Sequence, residues 1–339
     1  MDTKPVLLDC PWLDLEKLRN SNVFVTGGTG LIGYNIIKEL AALQPDLGLR
    51  IYALVRNEHR AKEKFREFAD QVQLIQGDVL QKIQMDEHVD YVIHGASVTS
   101  SQAFVDTPVE TIMTSVMGSR NLLEFAREKS VKSLVYLSSM EVYGAPSEKK
   151  LLTEDCVDYL DPMKLRSSYP ESKRMCENLC VAYSHEYGVP VKVVRLAQTF
   201  GPGLAANDRR VIIQFLNSAL AKEDIQIKAS GESSRMYLYT ADAVTGILSI
   251  LLGGEDGLAY NLANKDTYCS IKELAQKVLA LYSPENRVLT NTGTEEERRI
   301  YPPDSYLYLD TSRVEALGWR PRFGIEEAFR GLERSLQSK

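Results

Sequence analysis

The chain has 339 residues, of which 44% are hydrophobic and 25% are charged, a balance typical of ordinary globular proteins. This composition excludes a disordered chain, a collagen-like fibre and a small disulfide-linked scaffold. With 40 Lys and Arg against 46 Asp and Glu, the net charge of −6 argues against non-specific binding to nucleic acid. No apolar run approaches the roughly 18 residues of a membrane span, and the five cysteines form no CxxC pair. We expect a cytoplasmic protein with neither a membrane segment nor a metal site.

Short apolar runs alternate with longer stretches of helical period in the first half of the chain. The apolar runs are Val23–Val25, Ile51–Val55, Val72–Ile75, Tyr91–Ile93 and Leu134–Leu137. Helical periodicity covers Leu31–Leu43 and Val109–Lys129. Strands that alternate with helices form parallel sheets through right-handed crossovers. The sequence therefore predicts an α/β fold, with a doubly wound parallel sheet covered by helices on both faces.

The pattern changes in the second half of the chain. A polar loop over residues 145–168 precedes a predicted helix over Tyr169–Tyr187, and Val191–Leu196 is predicted to form a sixth strand. Helices mixed with short strands follow, then a loop at Pro302-Pro303 and a last helix over Ile325–Leu336. The first twenty residues are expected to pack on the outside as a short helix.

A glycine-rich turn joins the first predicted strand to the first predicted helix. Gly27, Gly30 and Gly33 have the spacing GxxGxxG, and the Lys-Ser or Lys-Thr pair of a Walker phosphate loop does not follow them. Such a turn brings backbone N–H groups, including those of Leu31 and Ile32, close to a pyrophosphate at the helix N-terminus. Because the turn opens the first strand–helix unit of the sheet, it predicts a Rossmann-type dinucleotide-binding site.

The end of the second strand distinguishes between two dinucleotides. An NAD site usually has an acidic residue there to hold the ribose hydroxyls, whereas this chain has Arg56, with Arg60 one turn further on. A guanidinium suits a 2′-phosphate, so we favour NADP over NAD, although an arginine can also stack on adenine in an NAD site. After the third strand, Asp78 and the adjacent Val79 are candidates to contact the adenine. The alternative role for Asp78 is to cap a helix that follows it.

Tyr169 and Lys173 lie four residues apart at the start of a predicted helix and therefore share one face. The lysine ammonium is expected to lower the pKa of the tyrosine, which would make it an acid and base near neutral pH. Tyr34 and Lys38 have the same spacing, but only Tyr169 follows the loop after the fifth strand. Ser139 ends that strand and is expected to reach the same substrate oxygen; alternatively, it hydrogen-bonds the last backbone groups of the strand.

Taken together, these motifs resemble the extended short-chain dehydrogenases/reductases, in particular the NAD(P)-dependent epimerase/dehydratase group that acts on nucleotide sugars. The resemblance extends over about residues 20–335. The motifs that carry it are Thr26–Gly33, Ser138–Gly144, Tyr169–Lys173, Arg195–Gly203, Arg235–Asp242 and Leu317–Pro321.

The resemblance implies a catalytic triad of Ser139, Tyr169 and Lys173. In this group the tyrosine takes the proton from the 4-hydroxyl of the sugar while hydride passes to the nicotinamide. Ala96 and Ser97 match a strand end that borders the cofactor. A cofactor-sensing protein without chemistry is disfavoured because the triad is intact.

The resemblance also implies that Gln198, Arg210 and Arg235 contact the substrate, with Gln198 in the place of a usual Asn. We expect an N-terminal extension over residues 1–20 and a dinucleotide-binding Rossmann domain over 21–197. Residues 198–339 are expected to form mainly a smaller substrate-binding lobe, with some segments returning to the Rossmann domain. Members of the family commonly form homodimers through two long helices, here near residues 108–128 and 169–187.

Glu141 bears on the type of reaction. A Glu two positions after the catalytic hydroxyl is similar to the nucleotide-sugar 4,6-dehydratases and the UDP-glucuronate decarboxylases, whereas simple 4-epimerases more often have a small or neutral residue. We expect Glu141 to be catalytic in an enzyme that oxidises C4 and then decarboxylates, dehydrates or epimerises the ketone. Met140 departs from both patterns, so the subtype stays open. The alternative is an NADPH-dependent keto-sugar or carbonyl reductase, which Arg56 slightly favours.

Overall fold

The structure is a computed structural model that describes residues 5–290 and 304–337, so the expected loop at Pro302-Pro303 lies outside the described residues. The strands are β1 (Asn22–Thr26), β2 (Arg50–Val55), β3 (Val72–Gln76), β4 (Tyr91–His94), β5 (Ser133–Ser139), β6 (Leu151–Leu152), β7 (Val191–Leu196), β8 (Gln198–Phe200), β9 (Ile225–Ile227), β10 (Ser234–Tyr239), β11 (Ala259–Leu262), β12 (Asn264–Ser270), β13 (Val288–Thr290) and β14 (Tyr306–Leu309). The helices are α1 (Leu31–Leu47), α2 (Glu58–Lys64), α3 (Ala103–Asp106), α4 (Pro108–Lys129), α5 (Ser168–Tyr187), α6 (Val211–Leu220), α7 (Thr240–Gly253), α8 (Ile271–Tyr282), α9 (Ser312–Glu315) and α10 (Ile325–Gln337).

Seven parallel strands form the main sheet, in the order β3-β2-β1-β4-β5-β7-β11. The six predicted apolar runs are six of these strands, and the predicted α/β doubly wound fold is confirmed. The seventh strand, β11, comes from the C-terminal half of the chain. The strand order reverses between β1 and β4, and the carboxyl ends of strands at such a reversal border the crevice where ligands bind in open α/β sheets.

Helix α1 continues four residues beyond its expected end and contains Pro45 in its last turns. A proline cannot donate to the carbonyl four residues earlier, which here belongs to Ala41. The side-chain amide of Gln71 donates to that carbonyl instead, at 3.0 Å. This tertiary contact satisfies the group that the proline leaves free, so the helix continues.

The N-terminal segment is part of the core, so its expected position on the outside is wrong. It forms two short 3-10 turns, Val6–Asp9 and Leu15–Leu18, instead of one helix. Leu7 and Leu18 are fully buried. The indole N–H of Trp12 donates to the hydroxyl of Ser249 at 3.2 Å, which ties the segment to α7.

A second sheet is built around β10, beside the carboxyl ends of the main strands. β10 pairs antiparallel with β12 and parallel with β14 and β8, while β14 also pairs with β6. Helices α6, α8 and α10 bury apolar side chains in a separate cluster with Phe200 and Tyr237. Among the described residues, none of these helices is long and apolar enough to cross a membrane.

Candidate active site

The loop between β1 and α1 needs its glycines, because three backbone segments approach one another closely there. Gly27 has a φ of +71°, and a Cβ atom there would lie 2.5 Å from the carbonyl carbon of Gly95. A Cβ atom on Gly33 would lie 2.4 Å from the carbonyl oxygen of Gly27. The loop is therefore closed against the end of β4 and the first turn of α1, and a larger residue would open it.

Helix α1 presents unpaired N–H groups to this loop. Gly30 is its N-cap, and the first bond of the helix runs from the N–H of Tyr34 to the Gly30 carbonyl at 3.0 Å. The N–H groups of Leu31, Ile32 and Gly33 precede that bond and have no acceptor within the helix. A helix N-terminus with free N–H groups beside a glycine turn suits the pyrophosphate of a dinucleotide.

Arg56 directly follows β2, whose register places Leu54 opposite Thr26 at the start of the glycine loop. Its side chain is exposed. The neighbouring Asn57 caps α2 by accepting from the N–H of Arg60 at 2.9 Å. A guanidinium is therefore available near the adenine end of the expected cofactor position.

Asp78 and Val79 follow β3. The carboxylate of Asp78 accepts from the N–H of Leu80 at 2.9 Å and so closes a turn. Among the described residues, no helix begins there, so the alternative in which Asp78 caps a following helix is wrong. Val79 is buried and packs against Gly118 of α4.

The end of β4 is held in place by hydroxyl groups. The N–H of Ala96 donates to the hydroxyl of Thr26 at 3.3 Å, and the Ser97 hydroxyl lies 3.5 Å from that of Ser115 in α4. His94 is buried, and its Nδ1 lies 2.7 Å from the Thr26 hydroxyl. Burial lowers the pKa of His94 to about 3, so it is a neutral packing residue of the strand.

Three of the expected catalytic residues meet at the carboxyl end of β5. Tyr169 and Lys173 lie on the first turns of α5, are almost fully buried and share one face, with the ammonium 5.7 Å from the centroid of the phenol ring. The ammonium donates to the carbonyl of Leu137 at 2.7 Å. Ser139 ends β5; its hydroxyl accepts from the N–H of Glu141 at 3.2 Å and lies close enough to the phenol of Tyr169 to lower its pKa.

The expected lowering of the Tyr169 pKa is wrong for this arrangement. Burial raises the pKa of the phenol well above its usual range, and the negative charge of Glu141 raises it further. The nearby hydroxyl of Ser139 opposes this rise only in part. Burial also lowers the pKa of Lys173 to about 8, because the buried ammonium is desolvated. Tyr169 is thus a neutral phenol at rest.

Glu141 lies in a short 3-10 turn after β5 and pairs with Arg166, with nitrogen–oxygen distances of 2.9 and 2.8 Å. The guanidinium also lies over the ring of Phe104, 4.7 Å from its centroid. That ring stacks on Tyr169 at 4.3 Å with an interplanar angle of 10°. The Ser168 hydroxyl donates to the carbonyl of Phe104 at 2.8 Å, which fixes the ring beside the phenol.

The three expected substrate-binding residues lie in the second sheet and the segment before α6. Arg210 pairs with Asp208 at 3.3 Å, and its charge acts on Tyr169 by lowering its pKa. Gln198 begins β8 and lies opposite Tyr237 of β10. The Nε of Arg235 in β10 is buried without a hydrogen-bonding partner among the described residues, as expected of a group that binds an absent anion.

A nearly buried ionic cluster, which the sequence did not predict, lies beside the expected catalytic residues. Glu177 lies one turn after Lys173 on α5 and accepts hydrogen bonds from Arg195 and from the hydroxyl of Ser138. Arg195 also donates to the hydroxyl of Tyr143 at 3.0 Å. Glu177 lies four residues after Lys173, a spacing that places both side chains on one helical face. That spacing was the sequence signal that could have identified Glu177.

A sequence profile described as the NAD dependent epimerase/dehydratase family matches residues 23–263. The match covers more than half of the chain, so the protein belongs to this family of enzymes, and the resemblance found in the sequence is confirmed.

Curated relatives resemble the chain over nearly its whole length. UDP-glucuronic acid decarboxylase 6 of Arabidopsis thaliana is 27% identical, over 99% of this chain and 94% of the relative. UDP-glucuronic acid decarboxylase 1 of Danio rerio is 28% identical, over 95% of this chain and 73% of the relative.

Solved structures show the same fold. Epimerase Mth375 of Methanothermobacter thermautotrophicus has a TM-score of 0.82 and 24% identity, over 96% of this chain and 95% of that one. The dTDP-glucose 4,6-dehydratase DesIV of Streptomyces venezuelae, solved with NAD bound, has a TM-score of 0.78 and 22% identity, over 94% of this chain and 97% of that one. At these identities the likeness supports the fold alone.

Proposed function

We propose that this protein oxidises C4 of a nucleotide-linked sugar and then transforms the resulting ketone, with decarboxylation of a UDP-linked uronic acid as the principal reaction. The single observation that carries the proposal is the meeting of Ser139, Tyr169, Lys173 and Glu141 at the carboxyl end of β5. The full-length similarity to UDP-glucuronic acid decarboxylases supports decarboxylation over dehydration and epimerisation.

The cofactor contacts proposed for this chain are the N–H groups at the start of α1, with Asp78, Val79, Ala96 and Ser97 along the strand ends. A nicotinamide held there would supply hydride transfer, from C4 and back to the sugar within one turnover. We propose NADP over NAD because the exposed guanidinium of Arg56 suits a 2′-phosphate.

Tyr169 is proposed to move the proton of the 4-hydroxyl. Because burial keeps the phenol neutral at rest, it needs nearby positive charge to act as a base. Lys173 lies on the same helical face, and the charge of Arg210 also acts on the phenol. Ser139, whose hydroxyl lies near the phenol, is proposed to hold the sugar oxygen in line for that transfer.

The second step follows from the ketone at C4. A carboxylate on C5 is then in the β-keto position, so the bond to it can break, with release of carbon dioxide and movement of the electron pair onto the C4 oxygen. Ser139 and Tyr169 can donate hydrogen bonds to that oxygen, and C5 then takes up a proton. In a dehydration, Glu141 would instead remove the C5 proton.

Residues 198–339, through Gln198, Arg210 and Arg235, are proposed to form most of the substrate-binding lobe. A homodimer through α4 and α5 is also proposed. These helices pack together, and each leaves large apolar side chains exposed, including Val109 and Met113 on α4 and Met175 on α5. In a dimer, α4 and α5 of the partner would cover these side chains and remove them from water.

The test is mass spectrometry of the products from UDP-, dTDP-, GDP- and CDP-sugars with no cofactor added. Loss of carbon dioxide from a uronic acid is the expected result. Loss of water would indicate a dehydratase, and an isomer of unchanged mass an epimerase. No reaction across the panel, together with NADPH consumption on a keto-sugar, would contradict the proposal and support the reductase, the second candidate favoured by Arg56.

A further inference from the structure

Arg166 lies just before the catalytic helix and has no role in the chemistry assigned so far. An aromatic ring and a carboxylate hold its guanidinium: Phe104 lies beneath it, and the Nη2 atom binds both oxygens of Glu141. Phe104 also stacks on Tyr169, so one ring contacts both the guanidinium and the tyrosine proposed to react. The positive charge of Arg166 acts on the tyrosine hydroxyl by lowering its pKa.

Much of the hydrogen-bonding capacity of Arg166 is unused. An arginine has five N–H donors in a planar fork. Within the part of the chain that the structure describes, only Nη2 has a hydrogen-bonding partner, which leaves Nε and Nη1 free. The side chain is 40% exposed, so these donors are accessible to a ligand. The two N–H groups of Nη1 can donate to a carboxylate oxygen.

Electrostatics favours a second carboxylate at these free donors. An acidic sugar that reacts at Tyr169 brings its carboxylate close to Glu141, and two carboxylates at short distance repel each other unless a cation lies between them. Arg166 already holds one carboxylate and can bind the other. Arg210, the other guanidinium that acts on Tyr169, is paired with Asp208.

We propose that Arg166 is the specificity-determining residue of this site. While Nη2 holds Glu141, the free N–H groups of Nη1 bind a carboxylate on C5 of the sugar. The inference rests on the proposed function and adds the residue that distinguishes an acidic sugar from a neutral one. Two substitutions should act in opposite directions: loss of the Arg166 charge weakens binding of the acidic sugar, whereas loss of the Glu141 charge strengthens it.

The test is calorimetric titration of the protein, loaded with reduced cofactor so that oxidation of C4 cannot begin, with UDP-glucuronate and with UDP-glucose. Arg166→Gln should weaken binding of UDP-glucuronate at least tenfold and that of UDP-glucose less than twofold. Arg166→Lys should recover part of the loss. Glu141→Gln should tighten UDP-glucuronate binding severalfold. The matched control is Lys164→Gln, an exposed charge two residues away, which should change neither affinity.

Equal weakening of both ligands by Arg166→Gln would overturn the inference, as would a wild-type protein that binds UDP-glucose as tightly as UDP-glucuronate. Both of these outcomes leave the proposed function standing. A wild-type protein that binds neither ligand would contradict the proposed function and the inference together. A melting curve for each variant shows whether it has folded.

Discussion

The carboxylate of Glu177 accepts three hydrogen bonds from the guanidinium of Arg195, at distances between 2.7 and 3.1 Å. Both side chains are 12% exposed. Glu177 also accepts from Ser138 at 2.5 Å, so it ties α5 to the ends of β5 and β7. Ser139 and Lys173, which are proposed to be catalytic, are neighbours of these anchors. The ionic cluster therefore sets the separation of the strand that carries the hydroxyl from the helix that carries the ammonium.

Glu177→Gln should lower the free energy of unfolding by about 3 kcal/mol, because it leaves the nearly buried charge of Arg195 without its counter-charge. Urea denaturation measures the change. The control is Glu326→Gln, which removes one partner of the exposed Arg330–Glu326 pair and should leave stability essentially unchanged. Equal losses of unfolding free energy in the two variants would show that the Glu177–Arg195 pair stabilises the fold no more than an exposed ion pair does.

Tyr169→Phe should reduce turnover by a factor of at least about 100, since it removes the group proposed to move the proton of the 4-hydroxyl while keeping the stacking on Phe104. Cofactor affinity, measured by fluorescence titration, should change by less than twofold. Tyr34→Phe is the matched control: Tyr34 has the same spacing to a lysine, and its hydroxyl has no hydrogen-bonding partner among the described residues. Strong residual turnover in Tyr169→Phe would contradict the assigned role.

Gly33→Ala should abolish dinucleotide binding and destabilise the fold by about 1–3 kcal/mol, because the new Cβ meets the backbone of Gly27. Gly253→Ala, at the end of α7, has no atom within 4 Å of the new Cβ and should be neutral or slightly stabilising. Differential scanning calorimetry with and without NADP measures both effects. Normal NADP-induced stabilisation of Gly33→Ala would refute the proposed pyrophosphate site.

Arg56→Asp should weaken NADP binding at least tenfold more than NAD binding, because it removes the guanidinium proposed to hold the 2′-phosphate and adds a negative charge. Equilibrium binding of the two dinucleotides gives the ratio. Arg50→Asp makes the same charge change at the opposite, exposed end of β2 and should leave the ratio unchanged. Equal losses for NADP and NAD in Arg56→Asp would remove the argument for NADP.

The difference in stability between the wild type and Lys173→Met should depend on pH. The pKa of Lys173 is about 8 when folded and near 10.5 in the unfolded chain, so the unfolded state binds more protons between these values. The wild type should therefore gain stability over the variant as pH rises from about 8 to about 10.5, by about 3 kcal/mol in total. Urea denaturation without added nucleotide measures it, and parallel pH profiles would disprove the shifted pKa.

Much of the fold follows from local patterns. Buried parallel strands are short apolar runs and their crossover helices are amphipathic, so six strands of the main sheet and its long helices were predictable from sequence. β11 was not among the predicted strands, because Ala259–Leu262 includes the polar Asn261 and lies outside the strand–helix alternation of the first half. Its place in the sheet is defined only by its pairing with β7. The end of α1 was missed for a similar reason, since the side chain that compensates for Pro45 comes from a distant residue.

The sequence by itself determined which chemical groups this protein has: the glycine turn, the Ser139, Tyr169 and Lys173 set, and Glu141. Only the tertiary structure decided the electrostatics of those groups. Spacing along a helix predicts that Lys173 lies beside Tyr169, but desolvation depends on the burial produced by the whole fold, and it raises the pKa of the phenol despite the lysine. The pairing of Glu141 with Arg166 and the stacking of Phe104 on Tyr169 likewise join residues far apart in sequence, which only packing brings together.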